Sequence, residues 1–175
     1  MKKIKSLLGL FFLISFTISL NLLAQGQEPT EPVNWRELAS FIIEVPTWKA
    51  EGEAEGSTAS MGDFKISQVE RNYSQDNKRL KIEIIDGAFV QMVYAAFKMA
   101  VSFEIDTAEE YTKKANIKGF PGVEQYNYED REASVMVLVA DRFLVSLEQD
   151  NVKDTSELKA IAGKLNLKGL AKLAK

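Results

Sequence analysis

The chemically able side chains of this chain are carboxylates, and four of them fall close together: Glu124, Glu129, Asp130 and Glu132. Two carboxyl groups held several ångströms apart can hydrolyse a glycosidic bond, one as acid and the other as base or nucleophile. Competing chemistries lack their residues. The 175 residues include no histidine and no cysteine, which excludes Ser-His and Cys-His nucleophilic systems, imidazole metal sites, thiol redox chemistry and thiolate zinc. The glycines near Glu51 lack the lysine and the strand-turn-helix setting that grip phosphate. The acidic run also lacks the alternating oxygen ligands, glycine and distant glutamate of a calcium loop. Acidic residues are abundant here, 25 in all, so the four are expected to form a solvated turn. No catalytic, metal-binding or cofactor-binding residue is assigned.

The second candidate is apolar. Residues 88–103 read AFVQMVYAAFKMAVSF, where the clearly polar Gln91, Lys98 and Ser102 line one narrow stripe with Ala95. Phe89, Met92, Tyr94, Phe97 and Met99 cover most of the remaining surface, and a helix of this kind requires cover on more than one side. It is expected to lie between the sheet and another element. Failing that, these five side chains are the candidate contacts for another exported protein or an apolar ligand, because methionine and aromatic groups fit irregular shapes. Asp86 and Glu104 flank the stretch too closely for it to span a bilayer.

The element that must anchor both candidates is a hairpin at residues 132–148, EASVMVLVADRFLVSLE. Two apolar runs flank a polar turn at Asp141-Arg142, which predicts that Ala140 faces Phe143, Leu138 faces Val145 and Met136 faces Leu147. The opposite face carries Val135, Val137, Val139 and Leu144, broken only by Ser146 and Glu148. A hairpin apolar on both sides belongs at the centre of a sheet. A second hairpin pairs 64–73 with 80–85 across Ser74-Gln75-Asp76-Asn77, and a slip in its alternation predicts a bulge near Ser67-Gln68. Residues 111–118 and 123–128 are further strands around a Gly119-Phe120-Pro121-Gly122 turn. Residues 51–62, small, acidic and glycine-rich, read as a solvated strand edge or a loop.

Helices are signalled at both ends of the chain. Asn34 with Glu37, and Asp154 with Glu157, form capping boxes. The first helix is expected to run to Pro46 with Trp35, Leu38 and Ile42 on one face, and the second to present Leu158, Ile161 and Leu165. A tail alternates Leu165, Leu167, Leu170 and Leu173 with Lys164, Lys168, Lys172 and Lys175. Docking on its own domain is expected, in preference to a membrane-surface helix. Strand pairs alternating with helices predict an α+β fold: an antiparallel sheet built from hairpins, with helices packed on its faces.

Ahead of this domain stand the marks of export. Lys2, Lys3 and Lys5 precede an apolar run from Leu7 to Leu20, and Leu22-Leu23-Ala24 supplies a small residue before Gln25. Residues 1–24 are therefore expected to be a signal peptide, 25–33 a flexible leader, and 34–175 one domain. The destination is the periplasm or the medium of a bacterial cell. Losing the three lysines takes the net charge from −3 to −6, which argues against nucleic acid as a partner.

Val45-Pro46-Thr47-Trp48-Lys49 and the later GSTASMGDF at 56–64 resemble a pattern in small exported bacterial proteins of uncharacterised function. Ile85-Asp86-Gly87 and Asp141-Arg142-Phe143-Leu144-Val145 resemble the same set. The resemblance covers most of the domain and implies no functional residue. The order of elements is also similar to that of the Mog1/PsbP-like α/β/α sandwich. The expected function is a non-catalytic periplasmic binding or accessory module, followed by a carrier of a lipid or other apolar molecule, and last a carboxylate-based hydrolase.

Overall fold

The structure is a computed structural model and describes residues 31–102 and 104–174. The expected signal peptide and residues 25–30 of the leader lie outside the described residues. In chain order the elements are α1 (Trp35–Ala39), β1 (Lys49–Ala50), β2 (Glu55–Met61), β3 (Phe64–Gln75), β4 (Lys78–Gly87), α2 (Ala88–Ala100) and β5 (Ile105–Asp106). Then follow β6 (Glu110–Ile117), β7 (Phe120–Asn127), β8 (Glu132–Val139), β9 (Phe143–Gln149), α3 (Ser156–Ala162), α4 (Leu167–Ala171) and a final 3-10 turn (Lys172–Ala174). The strands form one antiparallel sheet in the order β1-β3-β4-β9-β8-β7-β6-β5, with β2 also beside β3. The fold is mainly β, and its helices are short. The apolar β8–β9 hairpin sits in the middle of the sheet, where its composition demands.

Both faces of the sheet are used, and they are used differently. On the first face Val69, Tyr73, Leu80, Ile82, Ile84, Val135, Val137, Phe143, Val145 and Leu147 form a core closed by Leu38 of α1, Leu158 and Ile161 of α3, and Leu167 and Leu170 of α4. The tail thus spends its leucines on its own domain. On the second face Ile85, Val123, Leu138 and Leu144 meet Val90 and Phe97 of α2. This division removes the need for a bulge in β3. Its pairing with β4 runs unbroken from Ile66↔Gly87 to Gln75↔Lys78. Val69 and Tyr73 point to the first core while Ile66 points to the second, so the apparent slip records two cores rather than a kinked strand.

The central register also differs from expectation. Val139 pairs with Phe143, Leu138 with Leu144 and Val137 with Val145, across a three-residue connection. Ala140 and Asp141 both adopt left-handed backbone (φ 53° and 54°), and the Arg142 N–H closes the turn on the Val139 carbonyl at 3.1 Å. Alanine rarely takes that conformation; the turn was expected at the polar Asp141-Arg142 and begins one residue earlier. Between β6 and β7 the turn is Lys118-Gly119, with φ of 52° and 93°, and Phe120-Pro121-Gly122 belongs to β7. Proline is tolerated there because β8 pairs only from Gly122 onward.

The caps are simpler than expected. Asn34 accepts the Arg36 N–H at 2.9 Å, but α1 ends at Ala39, well before Pro46. Asp154 accepts the Ser156 N–H at 2.7 Å. Its expected partner Glu157 turns away, to Trp48 Nε1 at 3.2 Å and Gln149 Nε2 at 2.9 Å. Burial pushes Glu157 upward, but the hydrogen bonds from Gln149 and Trp48 and the charge of Lys78 outweigh it and hold the carboxylate below its ordinary range. The leader is pinned from Glu31 onward. Arg142 donates to the Glu31 carbonyl at 2.9 Å, and the Val33 N–H reaches Asp86 at 2.7 Å.

Candidate functional site

Helix α2 starts at Gly87, whose φ of 105° and close backbone neighbour, Lys65 O at 2.3 Å from where a Cβ would stand, admit no side chain. The helix then crosses the second face of the sheet and turns Val90 and Phe97 inward. Phe97, 6% exposed, is core. Phe89 and Tyr94 are half-buried flanks beside the same cluster. Met92 and Met99 face outward at 56% and 65% exposure, and Ala95 and Ala96 between them are exposed too. The helix therefore has cover on one side only among the described residues, and the expected second layer is not seen there. Gln91, Lys98 and Ser102 are exposed along one flank. Lys98 lies over the Tyr94 ring at 5.4 Å, and Tyr94 Oη is 3.4 Å from Asp141 Oδ1.

The surroundings of the helix extend this surface. Among the described residues, six large apolar side chains are conspicuously exposed: Met61, Phe64, Met92, Met99, Ile105 and Tyr128. Met61 pairs with Phe64, which shares the parity of Ile66, and Ile105 pairs with Thr112, in line with Gln125 and Ser134. Five of the six therefore project from the face that carries α2.

The four carboxylates do not converge. Glu124 is buried on the first face, hydrogen-bonded by Thr155 Oγ1 and 2.6 Å from Lys159 Nζ. Glu129 and Asp130 are exposed in the β7–β8 turn. Glu132 pairs with Asn127 on the second face. A residue on one side of a sheet cannot share a substrate bond with one on the other, so the pleat keeps Glu124 apart from Glu132.

Away from α2, the second face turns polar. Asn72, Lys81, Glu148, Ser134, Gln125 and Thr112 stand side by side across β3, β4, β9, β8, β7 and β6. The first five of them line a cleft of about 290 Å³ whose wall also includes Arg79, Glu110, Tyr126, Asn127, Glu132 and Asp150. Lys81 Nζ lies 3.5 Å from Glu83 and 3.6 Å from Glu148. Burial pulls Lys81 down, yet Glu148, Glu83 and Glu70 together carry it above its usual value. Burial, joined by Glu70, pushes Glu83 up despite Lys81. The trace of this ladder read in the sequence was the interruption of an apolar hairpin by Ser146 and Glu148; Ser134 was not singled out, and the alignment across six strands depends on register.

Comparison with protein-family models, with curated proteins and with solved structures finds no match to this chain. No helix among the described residues is long and apolar enough to cross a membrane.

Proposed function

We propose that the protein is an exported, non-catalytic binding module of the small exported bacterial kind it resembles, and that it engages another exported protein through the outer surface of α2. One observation carries this reading: five of the six large exposed apolar side chains lie on one side of the sheet. Exposed apolar groups gathered on one face, among polar ones, are the mark of an interaction surface. The group runs from the β2–β3 tip at one edge of the sheet to β5 at the other, roughly 30 Å at the usual strand spacing. That breadth suits a protein surface better than a small apolar molecule, and the methionines on α2 can adapt to it. The absence of histidine and cysteine from the sequence, and the separation of Glu124 from Glu132, support a role without catalysis.

The test is photo-crosslinking in the native host, with a benzophenone amino acid at position 92 or 99 and a control at the exposed Lys168 on the opposite side. A discrete adduct from 92 and 99 and none from 168 is expected. No adduct at either helix position, or the same adduct from position 168, would sink the proposal.

A further inference from the structure

The two edges of the sheet are built differently. At one edge β5 is two residues long, and the part of β6 beyond it carries Lys113 and Lys114. Short edge strands and lysines are common guards against unwanted strand pairing. At the other edge lies β2, seven exposed or half-buried residues from Glu55 to Met61, paired on one side only, with β3. It has no lysine and no proline, and its register with β3 runs without a bulge from Glu55↔Glu70 to Met61↔Phe64. Alternate residues of such a strand turn their N–H and C=O groups away from the sheet. Among the described residues no strand, loop or helix bonds to these outward groups.

A row of unpaired backbone groups calls for an extended backbone, and the strand's own sequence supplies one that fits. Set antiparallel to itself in the register that pairs all seven residues, β2 places Thr58 opposite Thr58, Ser57 opposite Ala59, Gly56 opposite Ser60 and Glu55 opposite Met61. No like charges meet, and threonine pairs are favourable cross-strand contacts. On the first face Trp35 lies over Gly56, its Cε3 2.8 Å from where a Cβ would stand, so the partner's Ser60 falls beside that ring. On the second face Met61, 79% exposed, comes to lie against the partner's Glu55.

We propose that the chain forms a two-fold dimer by antiparallel pairing of β2 with β2 of a second copy, joining two sheets edge to edge. Such an interface is isologous, because each residue meets in the second copy the residue that meets it. Main-chain hydrogen bonds supply the affinity, as in other strand additions. The two-fold axis stands perpendicular to the sheet, so both α2 helices remain on one side, with Met92 and Met99 left for the partner protein proposed above. A contact this narrow, roughly 24 Å long at the usual rise per residue, gives a reversible dimer and not an obligate one.

Sedimentation velocity of the protein as isolated, over a dilution series, tests this. The expected result is a species of twice the monomer mass that dissociates on dilution. Ser57→Lys/Ala59→Lys sets lysine opposite lysine and should weaken association on the order of tenfold or more, with thermal melts at low concentration verifying that the variant folds. Met99→Lys should associate like wild type. The sequence has no cysteine, so Thr58→Cys puts a single thiol opposite its own copy. Mild oxidation should link that variant into a disulfide dimer far faster than Lys114→Cys at the other edge. A protein that stays monomeric up to about 1 mM overturns the proposal. So does a dimer that survives Ser57→Lys/Ala59→Lys or is lost in Met99→Lys, and so does a Thr58→Cys disulfide that forms no faster than that of Lys114→Cys.

Discussion

Arg142 grips Asp86 through two hydrogen bonds, Nε to Oδ1 and a terminal guanidinium nitrogen to Oδ2, each 2.9 Å long, at the end of the sheet where β4 pairs with β9. Asp86 is 1% exposed and also accepts the Val33 N–H, while Arg142 reaches the carbonyls of Glu31 and Leu173. One ion pair thus ties both ends of the described chain to the central strands. Removing one partner of a buried pair strands the other's charge and costs about 3–5 kcal/mol. Arg142→Met should lose that much in urea melts and expose residues 31–33 to protease. The double variant Asp86→Asn/Arg142→Met should lose less than the sum of the single changes. Additive losses would show that the pair is not coupled.

Phe97 and the two exposed methionines of α2 separate packing from recognition. Phe97→Ala empties a site filled against Ile85, Val123, Leu138 and Leu144 and should cost about 3–5 kcal/mol in urea unfolding. Met92→Ala and Met99→Ala alter exposed positions and should stay within about 0.5 kcal/mol of wild type. If the proposed interface exists, those two changes lower partner crosslinking without lowering stability. A large stability loss at Met92 would show instead that unseen packing covers the helix.

How much of this was legible in the sequence follows from what is local and what is not. The central position of β8–β9 was legible, because an apolar run on both faces has one favourable location. A helix beginning at Ala88 was legible from the Asp86-Gly87 break, although it was expected to run to residue 103 and ends at Ala100. Which of its five candidate residues faced outward was not, since Phe97 and Met99 are equally apolar and only the packing of Val90 and Phe97 on the sheet sets the rotation. The two motifs Ile85-Asp86-Gly87 and Asp141-Arg142-Phe143 were both noted, yet their meeting depends on β4 pairing with β9, a contact between distant segments. The polar ladder was hidden for the same reason. A one-residue error at Ala140 shifts every cross-strand neighbour, and with it the company that Ser134 keeps.

Gly87 offers a test of how α2 is launched. Its φ of 105° lies where side chains are strained, and an added Cβ would stand 2.3 Å from the Lys65 carbonyl oxygen, a backbone atom that cannot swing aside. Backbone strain of this kind costs on the order of 1–3 kcal/mol before any clash is counted. Gly87→Ala should therefore lower the unfolding midpoint by at least that equivalent. Gly52→Ala, with a φ of 100° but open space around its Cβ position, should lose only the strain. Equal losses at the two positions would refute the role assigned to the Lys65 contact.

Glu83 gives the pH prediction. It lies on the second face, 17% exposed, with Lys81 on its own strand, Glu70 on β3, and Glu148 and Ser146 on β9. Burial first, and then Glu70 and Glu148, raise its pKa above the ordinary 4.5, with Lys81 opposing. A carboxyl group with a raised pKa in the folded state keeps its proton there after the unfolded chain has lost it. Between 4.5 and the raised value the folded state binds more protons, so this group's contribution to stability falls as pH rises, by at most about 1.4 kcal/mol per pH unit. Below that window the contribution is complete, and above it the loss is complete. Glu83→Gln removes the ionisation while keeping the shape. The difference in stability between variant and wild type, from urea melts at closely spaced pH values, should shift in favour of the variant as pH rises above 4.5, and then level off. A difference that is flat across this range, or that turns against the variant as pH rises, would mean that the Lys81 ion pair outweighs burial at this position.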